Sequence, residues 1–127
     1  MSESETCESR LTFKEMCERF EVTPRTLRYY EYIELLTPDK EGRSRFYKPR
    51  ERARMKLILR GRRFGFSLED IRQWLDMYEK QGTKAQHEAW IVRADEQLQD
   101  LRAQRDKLND TIDELAALRD QTRDTLS

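Results

Sequence analysis

The sequence predicts a mostly α-helical chain with one small β-wing, in which a head of short helices is followed by a long coiled-coil helix. Helix-start signals recur at Thr12, Thr23, Pro49, Ser67 and Thr83, each followed by apolar residues at steps of three and four. A polar, glycine-containing turn near residue 40 leads into alternating cationic and aromatic residues. From Thr83 to about Asp124, neither Gly nor Pro interrupts the chain.

Residues 1–10 are rich in Ser, Glu and Thr without an apolar period, and are expected to form a disordered tail. Thr12-Phe13-Lys14-Glu15 has the form of a capping box, in which the Thr oxygen and the Glu carboxylate each satisfy an early backbone N–H. Phe13, Met16, Cys17 and Phe20 then fall on one face of a helix of about two turns. Thr23-Pro24 starts the next helix, because Thr caps well and Pro at the first position gives up no needed donor. Leu27, Tyr30 and Ile33 form its apolar stripe. Only Glu21 and Val22 separate the two helices, which is the layout of a helix-turn-helix whose second helix enters a DNA major groove N-terminus first. Arg25, Thr26, Arg28 and Tyr29 occupy that leading part.

Leu35-Leu36-Thr37-Pro38 ends the second helix and Asp39-Lys40-Glu41-Gly42 reads as turn material. Arg43-Ser44-Arg45-Phe46-Tyr47 suits a two-stranded hairpin with a basic tip, making the head a winged helix-turn-helix. Pro49 opens a third helix ending at Phe64-Gly65, with Met55, Ile58 and Leu59 on one face and Arg60 and Arg63 among its surrounding cations. Ser67-Leu68-Glu69-Asp70 is a second box, built on the shorter Asp, and Leu68, Ile71, Trp74, Leu75 and Tyr78 are expected to pack the head core. The head thus spans residues 11–80.

Thr83-Lys84-Ala85-Gln86 caps a helix expected over residues 83–125. Ile91, Ala94, Leu98, Leu101, Leu108, Ile112 and Leu115 repeat at heptad spacing, with Arg105 and Arg119 in the same seam. One narrow apolar seam on so polar a helix has nothing in its own chain to cover it, so a homodimer is expected, parallel or antiparallel. The seam arginines are read as pairing across the dimer, fixing its register, or reaching solvent.

Composition narrows the function classes. With 36% hydrophobic and 39% charged residues, a chain of 127 residues has little material for a large sealed core. No apolar run is long enough to cross a membrane and no signal-peptide layout opens the chain, so a cytoplasmic protein is expected. Cys7, Cys17 and His87 stand apart from one another, leaving no zinc spacing, no cofactor site and no catalytic constellation. The net charge of zero conceals an uneven distribution. Residues 40–63 hold 11 basic and 2 acidic side chains, a local excess of +9 between acidic flanks. Local excess, not net charge, attracts phosphate. Three readings remain open: a transcription regulator, an architectural or phage-type DNA-bending protein, and a coiled-coil adaptor whose basic segment is only solvated. An enzyme is the least supported.

The run Val22-Thr23-Pro24-Arg25-Thr26-Leu27-Arg28-Tyr29-Tyr30-Glu31, with Ile33, Leu35 and Leu36, resembles the signature of the MerR family of bacterial transcription regulators. The likeness continues through Arg45 and Tyr47 to Phe64-Gly65-Phe66-Ser67-Leu68-Glu69-Asp70-Ile71. It implies a homodimer that places two recognition helices in successive major grooves of a palindromic operator in double-stranded promoter DNA. Bending or untwisting that operator serves RNA polymerase bound to the same promoter. By this resemblance, Arg25 and Thr26 face base edges or adjacent phosphates, Arg28 a phosphate or guanine, and Tyr29 the backbone through its hydroxyl. Arg43, Arg45 and Tyr47 match the wing, with Arg45 as the best phosphate clamp, while Arg60 and Arg63 are secondary candidates. Leu27 and Tyr30 are core.

Departures from the family pattern carry expectations too. Arg43-Ser44-Arg45 stands where the wing usually reads Gly-Tyr-Arg, which bears on operator preference. Glu34 stands where a helix-ending Gly is usual, implying another backbone route at that turn. The cysteines that metal-sensing relatives carry at and after the dimer helix have no counterpart beyond Cys17, so no metal is expected and the chain reads as a short form without an effector domain. Cys17 matches a packing position, and a thiol switch at Cys7 is the remaining alternative for that residue.

Overall fold

In a computed structural model, residues 10–127 are described; the expectations for residues 1–9, Cys7 among them, lie outside these. The chain divides into a unit ending at Gln81 and a second beginning at Gly82. The first contains β1 (Leu11–Thr12), α1 (Phe13–Phe20), α2 (Pro24–Tyr32), β2 (Asp39–Glu41), β3 (Ser44–Tyr47), α3 (Pro49–Phe64) and α4 (Leu68–Lys80). The second is the single helix α5 (Lys84–Thr125).

The capping signals form as hydrogen bonds. Thr12 Oγ1 accepts from Glu15 N at 3.2 Å while Thr12 N donates to Glu15 Oε1 at 2.9 Å. Ser67 and Asp70 make the same reciprocal pair at 3.0 and 3.1 Å, so the shorter acid completes the box. Thr83 and Gln86 do so on α5. Thr23 caps α2 by accepting from Thr26 N at 3.1 Å.

The wing is larger than the sequence suggests. Asp39–Glu41 is a strand rather than turn material, and the hairpin turns through Gly42 and Arg43 alone, with Glu41 opposite Ser44. Gly42 holds φ 61° at the first loop position, where a tight hairpin turn favours glycine. A third strand joins on the other side: Leu11 pairs Tyr47 and Thr12 pairs Phe46, giving the antiparallel order β1-β3-β2. Arg10, assigned to the tail by composition, lies with its guanidinium 4.4 Å from the Phe46 ring centroid and donates to Glu41 at 3.0 Å.

The head core is built from Met16 of α1, Leu27 and Tyr30 of α2, Leu35 and Leu36 after it, Tyr47 of β3, Met55 and Ile58 of α3, and Phe66, Ile71 and Leu75 around α4. A glycine lies at the contact between two of these helices. A Cβ built at Gly61 of α3 would lie 2.7 Å from Ile71 Cγ1 of α4, inside van der Waals contact, so only hydrogen fits there. Ion pairs lock the same helices, Arg54 Nη1 at 2.6 Å and Arg50 Nη2 at 3.2 Å from Glu79. Burial alone would raise the Glu79 pKa, but the Arg54 hydrogen bond and the two positive charges hold its carboxyl below the usual range. Tyr78 departs from its expected role: it lies on the apolar stripe of α4 yet is 68% exposed, because Ile71 and Leu75 meet the core and the next turn does not.

Glu34 corrects a further expectation. It adopts φ 63°, the left-handed conformation that glycine would take, so the turn follows the usual route with an unusual residue. Leu35 N donates to Tyr30 O at 2.9 Å and Glu34 N to Glu31 O at 3.0 Å, the two bonds of a Schellman cap, with Leu35 and Tyr30 both buried. A left-handed residue with a side chain costs roughly 1–2 kcal/mol, and glycine's extra unfolded-state freedom offsets about half of this. Glu34→Gly is therefore expected to stabilise the head by about 0.5–1 kcal/mol in thermal or urea unfolding; an unchanged or lower midpoint would contradict the assignment of strain.

α5 has 42 residues, which at 1.5 Å per residue is about 63 Å. Along it Ile91, Leu98, Leu101, Leu108, Ile112, Leu115 and Leu118 are exposed, as is Leu126 just beyond its end, and Ala94 is half-buried. Arg105 and Arg119 pair with their own neighbours, Asp106 at 3.0 Å and Asp120 at 3.1 Å. No helix among the described residues is long and apolar enough to cross a membrane.

Candidate nucleic-acid interface

The face of α2 opposite the core carries Arg25, Arg28, Tyr29 and Tyr32, all exposed, while Leu27 and Tyr30 point inward. The helical period alone produces this division, since buried positions three apart leave the intervening residues outside. Thr26 is half-buried and its hydroxyl accepts from Thr23 Oγ1 at 2.9 Å, so it is held at the start of the helix. Tyr32 was not among the sequence candidates; it follows from the same period one turn beyond Tyr29.

The loop leaving α2 is pinned from behind. Arg54 Nε of α3 donates to Leu35 O at 2.9 Å, Arg72 of α4 donates to Ile33 O, and Glu51 accepts from Thr37 N. Glu51 is itself buried, its position explained by that orphan N–H. Part of the basic segment therefore has a structural task. Arg50, Arg54 and Arg62 are engaged with Glu79, Leu35 and Phe66, and Lys48 lies 3.5 Å from Asp39.

The wing is tied to α2 through Glu31. Tyr47 donates its hydroxyl proton to Glu31 Oε2, and Arg45 Nε lies 3.0 Å from Glu31 Oε1. Arg45 and Tyr47 are two residues apart on β3 and so share a face, which lets one carboxylate take both. Tyr47 is consequently not at the wing surface as the family likeness implied: it is 0% exposed, and its place is the core. Burial, and then the bond to Glu31, push its hydroxyl pKa well above the ordinary tyrosine value. Arg45 keeps 37% of its side chain exposed, so it remains at the surface but is already paired. Phe13 of α1 joins the two elements, with Arg28 at 5.3 Å and Arg45 at 5.8 Å from its ring centroid. Cys17, on the same helix, is partly buried, which raises its thiol pKa despite the charge of Arg28.

Arg43 stands exposed at the hairpin tip, and a shallow groove runs between the wing and the start of α1, lined by Thr12, Phe13, Lys14, Arg43, Ser44 and Arg45. Arg60 and Arg63 are exposed on α3. Arg25, Arg43, Arg60 and Arg63 carry no ion pair among the described residues. No group of three or more His, Cys, Asp or Glu suited to a metal ion occurs among the described residues.

An exposed cationic second helix beside a basic hairpin defines a winged helix-turn-helix head. Comparison with known proteins is consistent with that class. Residues 11–78 match the family model described as MerR HTH family regulatory protein, and residues 52–118 match one described as MerR, DNA binding. The chain is 40% identical over 65 residues to the HTH-type transcriptional regulator ZntR of Escherichia coli, a match covering 50% of this chain and 46% of that one. It thus spans about half the length of that relative. It is 35% identical over 108 residues to the HTH-type transcriptional regulator PA4778 of Pseudomonas aeruginosa, covering 81% of this chain and 73% of the relative. The crystal structure of a MerR family transcriptional regulator from Bacillus cereus superposes with a TM-score of 0.64 at 25% identity, covering 81% of this chain and 75% of that one. The chain belongs to the MerR family.

Proposed function

We propose that the chain is a transcription regulator that binds double-stranded promoter DNA sequence-specifically as a homodimer, reading a palindromic operator and acting by bending or untwisting it. The observation that carries this reading is the outer face of α2, where Arg25, Arg28 and Tyr29 stand together, exposed, beside the basic wing. The uncovered apolar seam of α5 supports the homodimer, and two heads joined at fixed spacing suit successive half-sites. In this reading the protein is a binding protein of the cytoplasm and acts on the nucleoid without catalysing a reaction. RNA polymerase is met through the shared promoter.

Cations on α2 and on the wing then divide the work. Arg25 at the leading end of α2 reaches base edges, whereas Arg43 at the hairpin tip meets phosphate. Arg25→Ala is expected to cost roughly 1–3 kcal/mol on the operator and to relax preference at one base pair of each half-site. Arg43→Ala is expected to weaken specific and random duplexes alike. Fluorescence anisotropy against both kinds of duplex checks the division, and equal losses on both for the two variants would refute it.

A further inference from the structure

The groove between the wing and α1 carries an inference that rests on the DNA-binding reading and extends it. We infer that this groove is a second phosphate-binding site on each head, in which Lys14 and Arg43 hold the DNA backbone to one side of the recognition helix. Lys14 is the residue this adds, since neither the capping box beside it nor the helix-turn-helix pattern singles it out.

Three features support the assignment. The lining is cationic and hydroxylic, with Lys14, Arg43 and Arg45 beside Thr12 and Ser44, and contains no acidic residue among the described ones. Its cations come from two elements far apart in sequence, α1 and the β2–β3 hairpin, which the strand pairs Leu11 with Tyr47 and Thr12 with Phe46 fix side by side. The groove is also coupled to the recognition helix, because Phe13 in its wall has the Arg28 and Arg45 guanidinium groups at 5.3 and 5.8 Å from its ring. These two guanidinium groups are therefore at most about 11 Å apart. A B-form duplex carries one charge per roughly 3.4 Å of axis on each strand, so a backbone met by Arg28 continues into the reach of the groove.

Charge accounting separates the three cations. Arg45 is neutralised by Glu31, whose side chain is largely buried, so its contribution is to shape the wall and orient the wing. Lys14 and Arg43 have no such partner among the described residues and supply the uncompensated charge. Each phosphate contact releases condensed counterions, making the slope of log K against log salt the most direct reporter. A DNA backbone is favoured over an acidic protein segment because the groove abuts the recognition helix.

The experiment uses the full-length protein and a duplex carrying its selected site, with binding measured from low to moderate salt. Lys14→Ala is expected to reduce the slope magnitude by about 0.9 per head, or about 2 for a dimer, and to weaken specific and random duplexes by the same factor. Lys14→Glu should weaken both further, and a methylphosphonate at the contacted position should remove the difference between wild type and Lys14→Ala. An unchanged slope and affinity in Lys14→Ala, with wild type binding normally, would overturn the groove assignment alone and leave the groove to an acidic protein partner. Failure of wild type to bind any duplex would overturn both readings. Lys14 is exposed and outside the core, and a matching thermal midpoint for wild type and variant excludes misfolding.

Discussion

Placing Glu at both Leu108 and Ile112 is expected to convert the protein to a monomer and to weaken operator binding by about a hundredfold to ten-thousandfold. The two residues lie one helical turn apart on the exposed seam of α5, at 60% and 54% exposure. Nothing within the α5 unit covers them, and an exposed row of Leu and Ile along some 63 Å of helix is the kind of surface a second copy buries. Glutamate is a good helix former, so the substitutions leave helix propensity nearly intact while placing four like charges across a two-stranded seam. Two linked heads bind a palindrome as one bivalent ligand, and losing that linkage removes an avidity factor of roughly 10²–10⁴. Sedimentation and anisotropy on the same samples would check both effects. A variant that remains dimeric and binds like wild type would place the subunit contact elsewhere.

Leu27→Ala is expected to destabilise the head by about 2–5 kcal/mol, whereas Arg28→Ala, the next residue, should leave stability within about 0.5 kcal/mol and weaken DNA binding. Leu27 is wholly buried and faces the core, so its truncation removes transfer energy and leaves a cavity. Arg28 is exposed and its guanidinium lies over the Phe13 ring of the wing groove, a contact worth little in water. Urea unfolding followed by binding at a temperature where both variants are folded separates the two consequences. Comparable stability losses at the two positions would mean that α2 is not divided into a core face and a reading face.

Much of this molecule was legible where the determinant is local. Thr12 with Glu15, Thr23 before Pro24, Ser67 with Asp70 and Thr83 with Gln86 each state a helix start within four residues, and each forms as hydrogen bonds. The faces of α2 followed from period alone. What escaped depends on partners distant in sequence. Leu11–Thr12 is too short to show alternation and is a strand only because β3 lies beside it. Tyr47 matches the wing by resemblance, but it is buried in the core with its hydroxyl bonded to Glu31, sixteen residues earlier. Charge counting treats every arginine of residues 40–63 alike, but Arg54 holds Glu79 and Leu35 O while Arg43 is exposed at the hairpin tip with no ion pair among the described residues. The stripe of α4 gave the face of Tyr78 without giving how far the core extends beneath it. Lys14 carries no signal of its own, because its significance depends on Arg43 being folded against it.

The most direct test of the central claim is selection of wild-type protein against randomised duplexes at low salt, followed by measurement of the enriched sequence. Enrichment of an inverted repeat, bound by two subunits and lost steeply as salt rises, is the predicted result. Retention of no duplex above background at low salt would contradict it, leaving the basic head as a solvated surface and the long helix as the functional element.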